Sequence, residues 1–344
     1  MDMQDIFNIG QRVCGNGVLT LRLAALFLVI SVVAASPLFA VDFVGRPVKV
    51  ATIAIGYGGD YEEKMALALA HLDTAGARGV DIACLPEVFT GGAAEPVPGP
   101  TTDAVAAVAR AYGMYVVCPI LESDGDKEYN TAVLIDREGR VAGRYRKVFV
   151  FWDENVHAGK EGVPVFDTDF GRIAILTCFD LNFPELWQEA ERLDAEIVFW
   201  PSAYGGGVPL KGYASIHAYY IVSVGDGDFI DMTGAAIPPD ETPRDRQFIA
   251  TLDLDRTLVH KDYTRDKIRR LLDDHEGDIV LEKDWHPEGW FMLRAVTPGV
   301  KVRALLHQYD IETLRAYRRR SREQINSRRE AGARIAADSA GAPR

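Results

Sequence analysis

The sequence contains few cysteines, and none is arranged as a structural metal site would require. Four occur among 344 residues, at Cys14, Cys84, Cys118 and Cys178, with no CxxC pair, and the seven histidines are scattered. If Cys14 is removed with an N-terminal leader, three cysteines remain, and an odd number does not predict a disulfide framework. No metal site and no cofactor is therefore predicted.

An excess of positive charge is also absent. The 38 lysines and arginines are outnumbered by 50 acidic residues, which gives a formal net charge of -12. This balance argues against nucleic acid as a partner, because nucleic-acid-binding chains are usually basic. The exception is the C-terminal part, where arginines outnumber acids from Glu312 onward. This basic tail predicts a solvated helix or a contact with another subunit, with a membrane-surface contact as the alternative.

Long apolar runs are missing except near the N-terminus. There, Leu23–Ala35 is apolar except for Ser31, follows Arg12 and Arg22, and precedes small residues. This layout is typical of a secretory signal peptide, so residues 1–40 are predicted to direct export to the periplasm or outside the cell. The alternative is an uncleaved anchor formed by residues 23–41, through which the protein would contact the membrane.

The rest of the chain alternates between strand and helix patterns from Val48 and continues with short strands and hairpin turns. Such an order predicts an α/β fold with a mixed sheet covered by helices. No repeat or linker interrupts residues 47–296, which are predicted to form one domain, and residues 297–344 form a C-terminal extension with a basic helical tail. Asp253 and Asp255 are predicted to lie on a solvated strand face.

The stretch from Ile173 to Glu185 draws attention because an apolar strand pattern stops at a cysteine. The chain turns after Cys178 and restarts as a helix at Pro184, where the fixed φ of proline suits the first helical turn. The thiol is thus expected at the carboxyl end of a strand, where ligands bind in α/β sheets and backbone N–H groups stabilise an anion. A lone cysteine on a strand is more often a core residue, so neighbouring motifs must decide its role.

Two further polar residues end predicted strands in the same way. Glu87 follows Leu85-Pro86, where proline cannot continue a strand ladder, and Lys147 ends the second strand of a predicted hairpin. A thiol needs a base to become a nucleophile, and the acyl oxygen that it attacks needs a nearby positive charge. Glu87, Lys147 and Cys178 supply these three parts.

In order and position these motifs resemble those of the nitrilase, or carbon–nitrogen hydrolase, superfamily. The resemblance rests on Leu85–Glu87, on Tyr145–Lys147, and on Thr177–Asp180 followed by Phe183-Pro-Glu. Glu154, seven residues after Lys147, matches the second active-site glutamate of the family. Phe199–Ala203 is similar to the strand end that lines the family's substrate pocket.

The resemblance implies a nitrilase-like αββα four-layer sandwich with two mixed β-sheets, assembled as a homodimer or a higher homo-oligomer. It also implies a cysteine thioester mechanism. In that mechanism Glu87 takes the proton of the Cys178 thiol, while Lys147 and the backbone N–H of Phe179 hold the oxyanion. Glu154 is expected to orient Lys147 or the attacking water.

The resemblance also points to residues around the substrate. Expected at the oxyanion site or in the pocket are Phe179, Trp152, Pro201, Ser202 and Tyr204. Residues 205–209, three glycines followed by valine and proline, are expected to form a flexible loop beside the pocket. Because most of the chain is acidic, the pocket is expected to favour cationic or neutral substrates.

The function implied is hydrolysis of a small linear amide or N-carbamoyl amine by water, with release of ammonia or an amine. A nitrile substrate is the nearest alternative. Acyl transfer to an amine is a second, although family members of that kind need several membrane spans. A third is a non-catalytic interaction module, against which the presence of all four candidate catalytic residues argues.

Overall fold

A computed structural model describes residues 43–332 except 57, 226 and 244. The predicted leader, residues 1–40, lies outside the described residues. The helices are α1 (Tyr61–Ala77), α2 (Pro100–Tyr112), α3 (Pro184–Arg192), α4 (Gly207–His217), α5 (Arg265–Asp274), α6 (Val302–Gln308) and α7 (Leu314–Glu330).

The strands of the first half are β1 (Pro47–Ile53), β2 (Ile82–Cys84), β3 (Tyr115–Asp124), β4 (Lys127–Ile135), β5 (Val141–Arg146), β6 (Val165–Asp167) and β7 (Arg172–Ile175). Those of the second half are β8 (Ile197–Trp200), β9 (Tyr220–Ser223), β10 (Phe229–Ile230), β11 (Ala236–Ile237), β12 (Gln247–Asp253), β13 (Thr257–His260), β14 (Ile279–Trp285) and β15 (Trp290–Ala295).

Two six-stranded mixed sheets form the centre of the molecule. Their strand orders are β12-β1-β2-β3-β4-β5 and β11-β10-β9-β8-β7-β6. In the first sheet β1, β2 and β3 run parallel, and in the second β7, β8 and β9 do. The sheets pack face to face with helices outside, so the predicted nitrilase-like αββα sandwich is confirmed.

Alternation along the strands explains the layers. On β3, Val117 belongs to the core between the sheets, whereas its neighbours Val116 and Cys118 pack in the cluster with α1 and α2. Successive side chains of a strand point to opposite faces, so a fully buried strand must be apolar on both. This is why β3 lacks the polar alternation of an exposed sheet.

α4 begins earlier than the glycine-rich sequence predicts. Residues 205–209 were expected to form a loop, but Gly207, Val208 and Pro209 make the first turn of α4. A proline in the first turn of a helix breaks no backbone hydrogen bond, because N–H groups there have no partner within the helix. Its fixed φ is also close to the helical value. Packing supports the turn, because Leu210 and Ala214 of the same helix are fully buried.

A third, three-stranded sheet follows the two large ones, in the order β13-β15-β14. Together with α5 and α6 it encloses its own apolar cluster, which includes Val259, Ile268, Phe291 and Leu306. The sequence pattern gave no sign of this separate core.

Asp255, just before β13, is hydrogen-bonded to the start of α6. The prediction that Asp255 is solvated was therefore wrong. Its side chain is 4% exposed and accepts a hydrogen bond from Val302 N at 2.6 Å. Val302 is the first residue of α6, so the carboxylate satisfies a backbone N–H that the helix itself leaves unpaired. The negative charge is also favourable at a helix N-terminus.

The arginine-rich α7 is fixed to the second sheet's helices at its start. Arg315 donates to the carbonyls of Glu191 and Ala195 at 2.8 Å each, and Arg319 pairs with Asp194. The later turns, from Arg322, are mostly exposed. None of the helices in the described residues is long and apolar enough to cross a membrane.

Candidate active site

Strand ends from both large sheets open into one cavity of about 600 Å³. Glu87 follows β2 of the first sheet, whereas Cys178 and Ser202 follow β7 and β8 of the second, and all three line the cavity. The carboxyl ends of parallel strands are where α/β proteins bind ligands.

Lys147 lies immediately after β5 and is fully buried beside two carboxylates. Its Nζ donates to Glu87 Oε1 at 2.8 Å and forms an ion pair with Glu154. Burial alone would lower the pKa of Lys147, but the negative charge of Glu87 and the hydrogen bonds to Glu154 and Glu87 raise it above its usual value. Lys147 is therefore a permanent cation at neutral pH, held next to the thiol.

The carboxylates of Glu87 and Glu154 accept hydrogen bonds from amide N–H groups as well as from Lys147. Asn130 Nδ2 donates to Glu87 Oε1 at 2.9 Å and to Glu154 Oε2 at 2.8 Å. The second oxygen of Glu87 accepts from Ala203 N at 3.2 Å, and Glu154 Oε1 accepts from Phe151 N at 3.1 Å. These contacts fix each carboxylate in one orientation.

Asn130 was missed by the sequence analysis. Asn130 lies on β4 and is 3% exposed. Its backbone carbonyl accepts from Lys147 N at 2.8 Å, so the two residues are neighbours across the β4–β5 hairpin. The available signal was a buried-strand pattern from Tyr129 to Ile135 interrupted by a single amide. A polar residue inside an apolar strand that pairs with Lys147 indicates a partner for its side chain.

Cys178 occupies an unusual backbone conformation, with φ of +46°. Such a conformation costs a non-glycine residue roughly 1–3 kcal/mol and needs support from its surroundings. Support comes from the second sheet, because Cys178 N donates to Pro201 O and Trp200 Nε1 donates to Cys178 O, both at 3.1 Å. The turn after β7 thereby holds the thiol in the cavity.

Asp180 ties this turn to the segment around Lys147. Its buried carboxylate accepts from Thr177 N at 2.8 Å, from Phe149 N at 3.0 Å and from Tyr145 OH at 2.8 Å. Burial raises the pKa of Asp180 to about 6 against the opposing effect of these donors. Tyr145 and Phe149 flank Lys147. The Asp180 carboxylate therefore holds the segment around Lys147 against the turn that carries Cys178.

The Cys178 thiol is protonated at rest. Burial first, and the negative charge of Glu87 second, raise the pKa of Cys178 to about 12, although the positive charge of Lys147 opposes them. Glu87, Ser202 and Cys178 all line the cavity, and the interaction with Ser202 lowers the pKa of the thiol while that with Glu87 raises it. Glu87 is thus placed to take the proton when the sulfur attacks, rather than before.

We expect no thiolate to form at Cys178 near neutral pH. The measurement is the ultraviolet thiolate absorbance of the protein minus that of Cys178→Ala, followed from about pH 6 to pH 9. The buried Cys84 and Cys118 cancel in this difference. A thiolate step with a midpoint near neutrality would show instead that Lys147 holds an ion pair with the sulfur.

Of the predicted oxyanion and pocket residues, Ser202 lies among the residues that line the cavity. Pro201 is buried, and its carbonyl accepts from Cys178 N. Phe179 lies in the 3-10 helix Cys178–Asn182, with its ring 5.2 Å from that of Phe151. The Tyr204 ring lies 5.4 Å from that of Trp200. Burial, and then the charges of Cys178 and Glu87, raise the pKa of Tyr204.

The prediction for Trp152 is corrected. Its side chain is 82% exposed and does not line the cavity, whereas the preceding Phe151 does. Phe151 and Trp152 are consecutive in a turn, so their side chains leave the backbone in different directions. Phe151 packs on Phe179 and takes the place at the cavity that was expected for the tryptophan.

Part of the sequence matches a known protein family. The sequence model of the family described as carbon-nitrogen hydrolase matches residues 49–216, which contain Glu87, Lys147, Glu154 and Cys178. The chain is 34% identical over 181 residues to the beta-ureidopropionase of Arabidopsis thaliana, covering 44% of each protein. It is 33% identical over 139 residues to a nitrilase of Pyrococcus abyssi, covering 36% of this chain and 53% of that one. The chain thus spans about half the length of these curated relatives.

Among solved structures, the fold resembles that of Nit3 of Saccharomyces cerevisiae, a member of branch 10 of the nitrilase superfamily. The TM-score is 0.55 at 20% sequence identity, and the match covers 61% of this chain and 91% of that one. At this identity the similarity concerns the fold, and it agrees with the two packed sheets described above.

Proposed function

Because this chain belongs to the carbon–nitrogen hydrolase family of the nitrilase superfamily, we propose that it hydrolyses a small linear amide or N-carbamoyl amine. The observation that carries the proposal is the position of Glu87, which pairs with Lys147 Nζ and lines the same cavity as Cys178. A carboxylate placed in this way can serve as base for the nucleophile without leaving the lysine unpaired.

The acylation half of the reaction uses these three side chains. Glu87 accepts the thiol proton as Sγ bonds to the carbonyl carbon, and negative charge develops on the carbonyl oxygen. The cationic Lys147 and the backbone N–H of Phe179 stabilise that charge. Glu87 then passes its proton to the substrate nitrogen, the carbon–nitrogen bond breaks, and a thioester remains on Cys178.

The second half returns the enzyme to its starting state. Glu87, again ionised after the amine or ammonia leaves, takes a proton from water, whose oxygen attacks the thioester carbon. The carbon–sulfur bond breaks, and the sulfur regains the proton from Glu87. Glu154, which pairs with Lys147 and shares Asn130 with Glu87, keeps the lysine oriented through both halves.

The test is release of ammonia or amine by the purified full-length chain with linear amides, N-carbamoyl amines and nitriles. We expect turnover of at least one amide or carbamoyl compound, absent from a Cys178→Ala preparation made in parallel. Turnover of nitriles with complete inertness to the other two classes would replace the amide proposal by the nitrile alternative.

Two other outcomes separate the remaining alternatives. Product that appears only when an acceptor amine is added would indicate acyl transfer rather than hydrolysis. No product with any compound, from protein whose fold is intact, would favour a non-catalytic module.

A further inference from the structure

A second cavity, of about 400 Å³, opens at the opposite ends of the parallel strands from the candidate active site. Arg172 begins β7, Glu196 directly precedes β8 and Tyr220 begins β9, and all three line this cavity. Cys178 and Ser202, by contrast, follow the carboxyl ends of β7 and β8. Glu196 and Ser202 are six residues apart, which corresponds to roughly 15–20 Å of extended chain. The reaction described above therefore does not use the second cavity.

Arginine dominates the charged lining of the second cavity. Among the described residues, two acids and six arginines line it. The arginines are Arg46, Arg172, Arg256, Arg303, Arg315 and Arg319. Arg172 pairs with Asp167 at 2.9 Å, and this carboxylate is outside the lining. Arg256 pairs with Asp231 at 2.8 Å and with Glu282 at 2.5 Å, which are outside it as well. The charge of the cavity therefore depends on the other four arginines and the two acids.

Glu196, the first of the two acids, is shared by two of these arginines. Its Oε1 pairs with Arg46 and also with Arg303 Nη1, the latter at 2.7 Å. One carboxylate balances one guanidinium, so one positive charge of this group is left without a counter-charge. Arg46 Nε is also buried, and it has no hydrogen-bond acceptor in the part of the chain that the structure describes. A bound acceptor would satisfy this donor.

Asp194, the second acid, is shared in the same way by two arginines of α7. It pairs with Arg319, and with Arg315 Nη2 at 3.5 Å. The side chain of the nearby Glu191 pairs with His217 at 2.7 Å. Arg315 Nε is buried and, within the described residues, has no acceptor either. Burial lowers the pKa of Arg315, although the negative charges of Asp194 and Glu191 oppose it. A second positive charge is therefore only partly balanced.

Apolar side chains form much of the remaining lining. Tyr219, Met232, Leu254, Leu258 and Leu314 all line the second cavity and are otherwise buried. Pockets for small molecules in proteins typically measure about 300–1,000 Å³ and combine an apolar lining with a few polar groups. The second cavity has both properties, and its polar groups are mainly cations. A molecule that fits it is small, partly apolar and negatively charged.

We infer that the second cavity is a separate ligand site, which binds a small organic oxyanion through its shared arginines. These are Arg46, Arg303, Arg315 and Arg319. The ligand is a carboxylate or a phosphate ester with a compact apolar group. Arginine recognises both oxyanions, because its planar fork of N–H donors matches two of their oxygens. The apolar group of the ligand is buried by the leucine and tyrosine side chains of the lining.

A purely structural role for the four arginines explains less of the arrangement. To attach α7 and the start of β1 to the second sheet, one arginine for each carboxylate would suffice. Each carboxylate instead has two, and a buried Nε is left without an acceptor on both sides. An anion between the arginines would balance the additional charge. The inference is independent of the proposed hydrolysis, because none of these arginines lines the cavity that contains Cys178.

Titration calorimetry of the purified full-length chain provides the first test. The probes are phenyl phosphate, benzoate and benzyl alcohol, which share a ring and differ in charge, together with inorganic phosphate. We expect at least one of the two ring-bearing anions to bind about tenfold or more tightly than the alcohol and than inorganic phosphate. Its affinity should fall as salt is added. The tighter of the two anions identifies the preferred oxyanion.

Variants locate the bound probe. Arg46→Gln and Arg303→Gln should each weaken binding of that anion about tenfold, because each removes donors and one charge. Both side chains are partly exposed, so the fold should tolerate their loss better than that of Arg315. Arg269→Gln is the matched control, since this arginine lies on α5, is 72% exposed and is outside the cavity lining. It should bind the probe like the unchanged protein.

Glu196→Gln provides a test with the opposite sign. The variant removes the carboxylate that competes with the ligand for Arg46 and Arg303, and its amide oxygen can still accept from Arg172 N. Binding of the anion should therefore become severalfold tighter. Weaker binding, as in the arginine variants, would show that these residues only maintain the structure. Absence of anion binding, or binding unchanged in Arg46→Gln and Arg303→Gln, would refute the site.

Discussion

Replacement of Cys178 by alanine is expected to abolish turnover, with a loss of about 10⁴-fold or more, because the residue that forms the covalent intermediate is gone. The fold should persist. The backbone contacts of the turn come from Pro201 O and Trp200 Nε1, and neither depends on the sulfur. Alanine also meets the same backbone requirement at φ +46° as cysteine, so the free energy of unfolding should change by about 1 kcal/mol or less.

The measurements are the rate of ammonia or amine release and the thermal unfolding curve. Cys118→Ala is the matched control, since Cys118 is buried between β3 and the helices, away from the cavity. It should cost stability but leave the rate near that of the unchanged protein. Clear turnover by Cys178→Ala, with the same substrate and KM, would show that a different group forms the bond.

Replacement of Glu87 by glutamine is expected to have two opposite effects. Turnover should fall by about 10²–10⁴-fold, because an amide cannot accept the thiol proton. Alkylation of Cys178 by iodoacetamide should become faster. The negative charge of Glu87 raises the pKa of Cys178 and the positive charge of Lys147 lowers it, so removal of Glu87 leaves more thiolate at a given pH.

Glu154→Gln is the control for a purely structural role, since both carboxylates pair with Lys147 and accept from Asn130. If Glu87 served only to hold Lys147, both variants would lose similar activity. We expect the loss to be smaller for Glu154→Gln. Slower alkylation in Glu87→Gln, or activity close to that of the unchanged protein, would contradict the role of Glu87 as the base.

The parts of the candidate site that sequence could predict are those carried by strand ends. Glu87 and Cys178 each follow an apolar run that stops abruptly, and Lys147 ends the second strand of a hairpin, so each stop is visible in a single stretch of chain. The structure brings Glu87 and Lys147 into contact and places Cys178 in the wall of the same cavity as Glu87. The αββα arrangement followed from the resemblance, because the order of strands and helices alone does not determine how two sheets pack.

The parts that sequence missed depend on contacts between distant segments. Asn130 acquires its role from hairpin pairing with Lys147, and Asp180 from donors 31 and 35 residues away. The choice between Phe151 and Trp152 depends on the direction of each side chain in a turn, which composition does not encode. Asp255 was misread because its partner, the start of α6, lies 47 residues further along.

The division of the site between the sheets has a consequence for behaviour on heating. Glu87 and Lys147 belong to the first sheet and Cys178 to the second, so the distance from base to nucleophile depends on apolar packing between Ile82 and Val117 on one side and Ile175 and Trp200 on the other. A displacement of about 1 Å between reacting groups can cost 10²-fold in rate. Slight slippage of one sheet over the other leaves every strand hydrogen bond intact but misaligns the proton transfer. Heat inactivation should therefore begin several degrees below the temperature at which the sheets themselves melt.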